Sequence, residues 1–175
     1  MAMPPGVSSD GMVKVAFVPT IAGIEAATPK ILLTELTAVG AVDLTCYMTA
    51  AIDPTASENS STDWRFCTKQ VFEDFGTVTY GFNELNYVYD AQLTTDTGSI
   101  NKAYTVLKKG IRGFLVVAWG KDAETDWKLG DIVDVYPVRL GVQRKMAPEQ
   151  NSKLKIAQKP YVLGKVQEDL AVATS

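Results

Sequence analysis

The sequence has 175 residues, with 17 Lys or Arg against 20 Asp or Glu and no His, giving a formal net charge of −3. That length is enough for one domain with a real core. Without imidazole there is no Ser-His-Asp triad, Cys-His dyad or His-ligated metal, and two cysteines cannot build a four-cysteine zinc site. Cys46 and Cys67 are spaced neither as a redox pair nor as a disulfide framework, so buried free thiols are expected. No basic segment leads into an apolar run at the start, and no apolar stretch nears the ~18 residues of a membrane span. Synthesis in the cytosol is the expectation, and Asn59-Ser60-Ser61 is read as a loop coincidence rather than a glycosylation site.

Taken in chain order, the elements are mostly strands. Val13, Val15 and Phe17 alternate with other residues before Pro19 ends the run, and Val42, Leu44, Cys46 and Met48 alternate in the same way, so each predicts a strand. The polar stretch Asp53 to Asp63 has too little apolar surface to order itself and is expected to be a long loop. Val78, Tyr80 and Phe82 predict a strand, and Leu85, Tyr87 and Tyr89 another in the opposite phase, with a bulge or turn at Asn83-Glu84. A second unpatterned loop covers Ala91 to Gly98.

One helix is expected at about 99–109. Ser99 would cap it, Ile100, Ala103, Tyr104 and Leu107 would face inward, and Lys108, Lys109 and Gly110 would close it. The apolar run Phe114 to Trp119 suits a strand covered on both faces. Ile132 to Val142 predicts a strand with Ile132, Tyr136, Val138, Leu140 and Val142 largely on one face. Leu154/Ile156 and Tyr161 to Val166 look like two closing strands, with Pro160 restricting the second to an edge or a strand start.

Charge is unevenly placed. Residues 1–135 hold 10 basic and 17 acidic side chains, whereas 136–175 hold 7 basic and 3 acidic. Within 53–96, eight acids face only Arg65 and Lys69. Nucleic-acid binding needs a net basic face, so the basic residues at 139–165 read as a solvated face or a complement to an acidic neighbour. One acidic and one basic surface would let copies stack.

The candidates for chemistry are poor. Asp122-x-Glu124-x-Asp126 resembles the start of a calcium loop, but Trp127 replaces the turn glycine and Val133 the closing glutamate. Asp131 and Asp134 diverge, as do the adjacent Glu73 and Asp74. Ser99-x-x-Lys102 lacks the partner motifs of a serine–lysine enzyme and reads as a helix cap. Gly110 to Gly113 follows a helix instead of opening one and is no phosphate loop. Trp64, Trp119 and Trp127, with Tyr80, Tyr87 and Tyr89, suit core or interface packing better than a stacking platform. No enzyme activity, cofactor or metal is expected.

The order of segments resembles the major tail (tail tube) proteins of long non-contractile-tailed phages, especially those infecting actinobacteria. The resemblance is carried by Gly6 to Pro19, Ala41 to Thr49, Trp64-Arg-Phe-Cys67, Phe72-Glu73, Gly76 to Tyr80 and Leu85 to Tyr89. It continues through Gly113 to Val117, Trp119-Gly120, Gly130 to Val138, Gly141-Val-Gln143, Pro148-Glu149, Asn151 to Leu154 and Gln158. Departures lie at 20–40 and at Asp53 to Asp63.

The resemblance implies one mainly β tail tube domain over 1–175, a sandwich or barrel-like fold with one flanking helix, an N-terminal arm at 1–11 and long loops at about 51–64 and 90–98. It implies a structural virion protein whose hexameric rings stack into a tube. Its partners would be further copies of itself, the enclosed tape-measure protein, terminator and tip proteins, and passing double-stranded DNA, with no membrane. On that reading Asp53, Glu58, Asp63 and Trp64 are candidate inter-ring contacts. Asp43, Thr45, Glu73, Asp74 and Glu84 are candidate lumen residues, and Arg139, Arg144, Lys145, Lys153 and Lys155 form a candidate basic assembly face. The alternatives are another ring-forming virion protein, such as a terminator or head–tail connector, or a monomeric β-module binding sugar or single-stranded nucleic acid.

Overall fold

A computed structural model describes residues 6–93 and 100–174. The main body is one curled sheet, a half-barrel, built from β1 (Val13–Val18), β2 (Ile31–Leu32), β3 (Val42–Asp43), β6 (Leu85–Val88), β7 (Arg112–Trp119), β8 (Ile132–Lys145), β9 (Lys155–Val162) and β10 (Gln167–Ala173). The two remaining strands, β4 (Pro54–Asp63) and β5 (Phe72–Phe82), pair only with each other. The short helices are α1 (Leu33–Leu36) and α2 (Lys102–Val106).

The apolar runs explain the half-barrel. On β1, Val15 and Phe17 join one core while Ala16 and Val18 join another; on β7, Leu115 and Val117 divide from Val116 and Ala118 in the same way. Successive side chains of a strand point to opposite faces, so an unbroken apolar run lets both faces be buried, as expected for Phe114 to Trp119. Trp119 itself is exposed.

β8 organises the sheet. It pairs with β7 on one side, and on the other with β10 near its start and β9 near its end. Its Val133 and Val135 pack on one face of the sheet, and Tyr136, Val138 and Leu140 on the other, whereas Ile132 and Val142, expected on the inward face, are exposed.

Several sequence expectations are corrected. Residues 53–63 do not form a loop: Pro54–Asp63 is a ten-residue strand, laddered to β5 from Pro54↔Phe82 to Asp63↔Phe72. Its order comes from backbone pairing, which asks nothing of side-chain hydrophobicity. The Val42 to Met48 alternation yields only a two-residue strand and a 3₁₀ turn at Thr45–Tyr47, because the Asp43 carboxylate and the Thr45 hydroxyl bond to backbone and turn the chain. Cys46 and Cys67 are exposed, not buried. The two closing strands expected around 154–166 are one strand, β9, with Pro160 inside it and buried. Pro160 opposes Leu140 of β8 and stands beyond the last residue paired with β6. β10 was not anticipated.

The expected helix is present but shorter. The Ser99 cap and most of the Ala91 to Gly98 loop fall outside the described residues, as do residues 1–5 of the N-terminal arm. Asn101 occupies the cap position, yet its side chain bonds the Asp90 and Leu93 backbone instead of the helix. Leu107 ends the helix by giving its carbonyl to Gln158. Gly110 takes the left-handed conformation expected of it, with φ +85°, and its N–H bonds Leu140 of β8.

Candidate assembly interface

The β4–β5 ribbon projects from the body. Ten residues at ~3.3 Å each span about 30 Å, and the ribbon's principal contact with the main sheet is β5 against β9. At the base, the Asn83 N–H donates to the Asp53 carbonyl over 3.2 Å and the Asn83 amide donates to its carboxylate. Asp53, expected at a ring-to-ring contact, is therefore a clasp holding the ribbon's root.

The ladder divides the ribbon into two unlike faces. Residues directly opposite each other share a face, so Pro54, Ala56 and Glu58 lie with Phe82, Tyr80 and Val78. A bulge follows, with Gly76 and Thr77 of β5 opposing Asn59, and beyond it Ser60 opposes Phe75. One face thus carries Phe82, Tyr80, Val78 and Phe75 in a stripe running outward from the core. Phe82 is buried, Val78 about half exposed and Phe75 84% exposed. The opposite face carries Thr55, Ser57, Thr79, Ser61 and Asp74, with half-exposed Phe72 beside Asp63 at its outer end.

At the tip, Trp64 and Phe66 are 60% and 95% exposed and stand edge to face, with ring centroids 4.6 Å apart. The Asp63 carboxylate pairs with Arg65 at 2.8 Å. A lone two-stranded hairpin is marginal in water, and an apolar stripe of this kind marks an interaction surface.

The other candidates are dispersed over several elements. Glu58, Asp63 and Trp64 lie on the ribbon, and so do Glu73 and Asp74, which oppose Thr62 and Ser61. Glu84 follows the ribbon's base and pairs with Arg144 at 2.7 Å. Asp43 pairs with Lys14, and the Thr45 hydroxyl donates to the Val15 carbonyl. The five lumen candidates thus come from three places in the fold.

The basic candidates form two groups. Arg144, Lys145 and Lys155 sit at the far end of the β8–β9 pair, where Lys155 pairs with Glu149 and the Lys145 ammonium lies over the Tyr89 ring; Lys153 is exposed just before β9. Arg139 instead opposes Arg112 on β7 and Tyr161 on β9. Among the described residues neither arginine has an acidic partner.

The aromatic residues do not converge on one platform. Trp127 is buried on one face of the sheet and Tyr87 on the other. The acidic residues Asp122, Glu124 and Asp126 are exposed, and among the described residues no three acidic or thiol groups are placed to hold a metal ion. No described helix is long and apolar enough to cross a membrane.

The family model described as "Phage tail tube protein" matches residues 1–175. The chain belongs to the phage tail tube protein family. A search of curated proteins gave no significant match. As a tail tube protein it is a structural component of the virion tail and assembles with tail partners, and the projecting ribbon is the part of the subunit least complete by itself. Sequence reasoning singled out residues 53–63 but as a loop, not a strand, and it missed Phe66 and Phe75 as part of the ribbon's apolar surface. The legible signal was the Val78/Tyr80/Phe82 alternation, which marks a strand and so asks for a partner.

Proposed function

We propose that six copies of this chain close into a ring, and that rings stack through the β4–β5 ribbon into the tube of a long non-contractile tail. The tube encloses the tape-measure protein, ends against terminator and tip proteins, and conducts double-stranded DNA without reading its sequence. The observation that carries this reading is the ribbon: about 30 Å of paired backbone with an apolar stripe left open, in a chain matched to the tail tube family from end to end. Apolar faces of this kind are stabilised by burial, at ~25 cal/mol per Å², and a neighbouring subunit supplies the cover.

Some of Asp43, Thr45, Glu73, Asp74 and Glu84 line the lumen on this reading, Glu73 and Asp74 lying on opposite faces of the ribbon. The acidic excess of the chain, multiplied around a ring, would repel phosphates and keep DNA from adhering. Arg139, Arg144, Lys145, Lys153 and Lys155, joined by Arg112 opposite Arg139, form the basic face on this reading and meet an acidic region of the next subunit.

The test is negative-stain electron microscopy of the concentrated protein beside a variant in which Ser57–Thr79 is replaced by an Asn-Gly turn. The expected result is tubes from the parent and a folded, unstacked subunit from the variant. Normal tubes from the shortened chain would reject the ribbon's role. Rings that never stack, even from the parent, would point to a terminator or connector.

A further inference from the structure

We propose that the ribbon tip of one copy, Trp64 to Lys69, seats in a groove beside β1 of a second copy. The proposal rests on the tube reading and names the surface that receives the arm. The groove has a volume of about 380 Å³, and Val13, Val15, Cys46, Met48, Ala51 and Ile52 form its apolar lining. That is within the range of clefts that hold compact ligands, and it is enough for an aromatic side chain. The tip offers such side chains already paired, Trp64 against Phe66, and large exposed aromatics are the usual anchors of protein interfaces.

Charge favours the same match. Arg65 and Lys69 are the only cations between residues 53 and 96, and both lie in the tip. Ala123, part of the groove wall, sits between the exposed Asp122 and Glu124, and its N–H bonds the Gly11 carbonyl next to exposed Asp10. The cations nearest in sequence to these walls, Lys14 and Lys121, are paired with Asp43 and Asp131. Arg65 is paired with Asp63, whereas Lys69 has no acidic partner among the described residues, so it is Lys69 that faces the acidic rim.

Geometry decides between a subunit's own tip and a neighbour's. Ile52 lines the groove, and the ribbon begins two residues later at Pro54. The tip lies a full ribbon length away, about 30 Å, so an extended ribbon cannot reach its own groove. A contact from the tip of one copy to the root of the next is heterologous, so it either closes a ring or propagates along an axis, and the tube reading takes it as the second. The step along that axis would be set by the ribbon.

The two cysteines report on this contact. Cys67 is exposed at the tip and Cys46 is exposed in the groove; they are far apart within a copy and adjacent between copies. The experiment mixes ¹⁴N- and ¹⁵N-labelled full-length protein under assembly conditions, checks it by negative stain, treats it with a short bis-maleimide and maps linked peptides by mass spectrometry. The expected product is a mixed-isotope Cys46–Cys67 peptide. Its yield should fall about tenfold or more in Trp64→Ala/Phe66→Ala, and also in Arg65→Glu/Lys69→Glu. Mixing the charge-reversed tip with Asp122→Lys/Glu124→Lys copies should restore it. Tubes without that peptide, a peptide carrying one isotope only, or no restoration by the complementary charges would overturn the docking site and leave the tube reading standing. Dispersed monomers at every concentration, with no such peptide, would overturn both.

Discussion

The Lys14 ammonium and the Asp43 carboxylate meet at 2.7 Å and tie β1 to the short edge strand β3. The lysine side chain is only 6% exposed. It also donates to the Ala123 carbonyl and lies 5.6 Å from the Trp127 ring centroid. Burial by itself would raise the Asp43 pKa, but hydrogen bonds from Lys14 and Thr45, together with the lysine charge, outweigh it and hold the carboxyl below its ordinary range.

Asp43→Asn should therefore destabilise the subunit by about 1–3 kcal/mol, because it leaves a buried cation without its counter-charge. The figure is kept below that of a fully buried pair since Asp43 is half exposed. Urea unfolding at neutral pH checks it. The sign with pH follows from the lowered pKa: the stabilisation is full above the unfolded value of ~3.9 and is lost as pH falls through the folded value. The parent and the variant should converge in stability toward that acid limit. A variant as stable as the parent at pH 7 would show that Lys14 finds another partner.

Gln158 is a second buried polar group whose bonds hold elements together. It is fully buried, its amide donates to the Leu107 and Gly141 carbonyls, and its oxygen accepts from the Tyr87 hydroxyl. Gln143 donates to the same hydroxyl and to the Tyr104 carbonyl. Burial, the largest influence, raises the Tyr87 pKa well above its ordinary value, so the phenol stays a donor at any working pH. Gln158→Leu should cost about 2–4 kcal/mol by orphaning two carbonyls and a hydroxyl, and Tyr87→Phe less. Hydrogen exchange should show α2 loosening first in the glutamine variant.

Much of this body was legible because burial leaves a mark in the sequence. The apolar run through Leu115 and Val117 gave β7 and its two covered faces, and Val15 with Phe17 gave β1. The ribbon was not legible in the same way. Ser57, Ser60 and Ser61 are polar because their strand is solvated in the lone subunit, and backbone pairing to β5 has no side-chain signature. Cys46 was misplaced for a related reason: its alternation with Val42 and Leu44 suggested an inward face, but the chain turns at Thr45 before that phase reaches it. The partner surfaces are harder still, since Phe75 and Phe66 stand exposed.

Arg112 and Arg139 stand directly opposite each other on β7 and β8. Like charges so placed repel, and both are exposed without an acidic partner among the described residues. If they face an acidic region of the next subunit, assembly followed by light scattering should weaken as salt rises and the screening length falls from ~10 Å at 0.1 M to ~3 Å at 1 M. Arg112→Glu/Arg139→Glu should abolish tubes without lowering the melting temperature. Assembly indifferent to salt would place the binding energy in apolar contacts instead.

The bulge in the ribbon offers a way to change the arm without touching the core. A Cβ built on Gly76 would lie 2.2 Å from the Asn59 carbonyl oxygen, so no other residue fits the present register. The bulge sets which face Phe75 joins: removing it would shift the distal half of β5 by one residue and turn every side chain beyond it over. Phe75 would then leave the stripe of Val78 and Tyr80, and Asp74 would take its place. Gly76→Val should leave the core within about 0.5 kcal/mol of the parent, as expected for a change on a solvated element, while tube formation fails. Chemical denaturation measures the first and electron microscopy the second. Tubes of normal appearance from Gly76→Val would mean that the distal stripe is not buried in the assembly, whereas loss of the folded core would mean that the ribbon is part of the subunit's own stability.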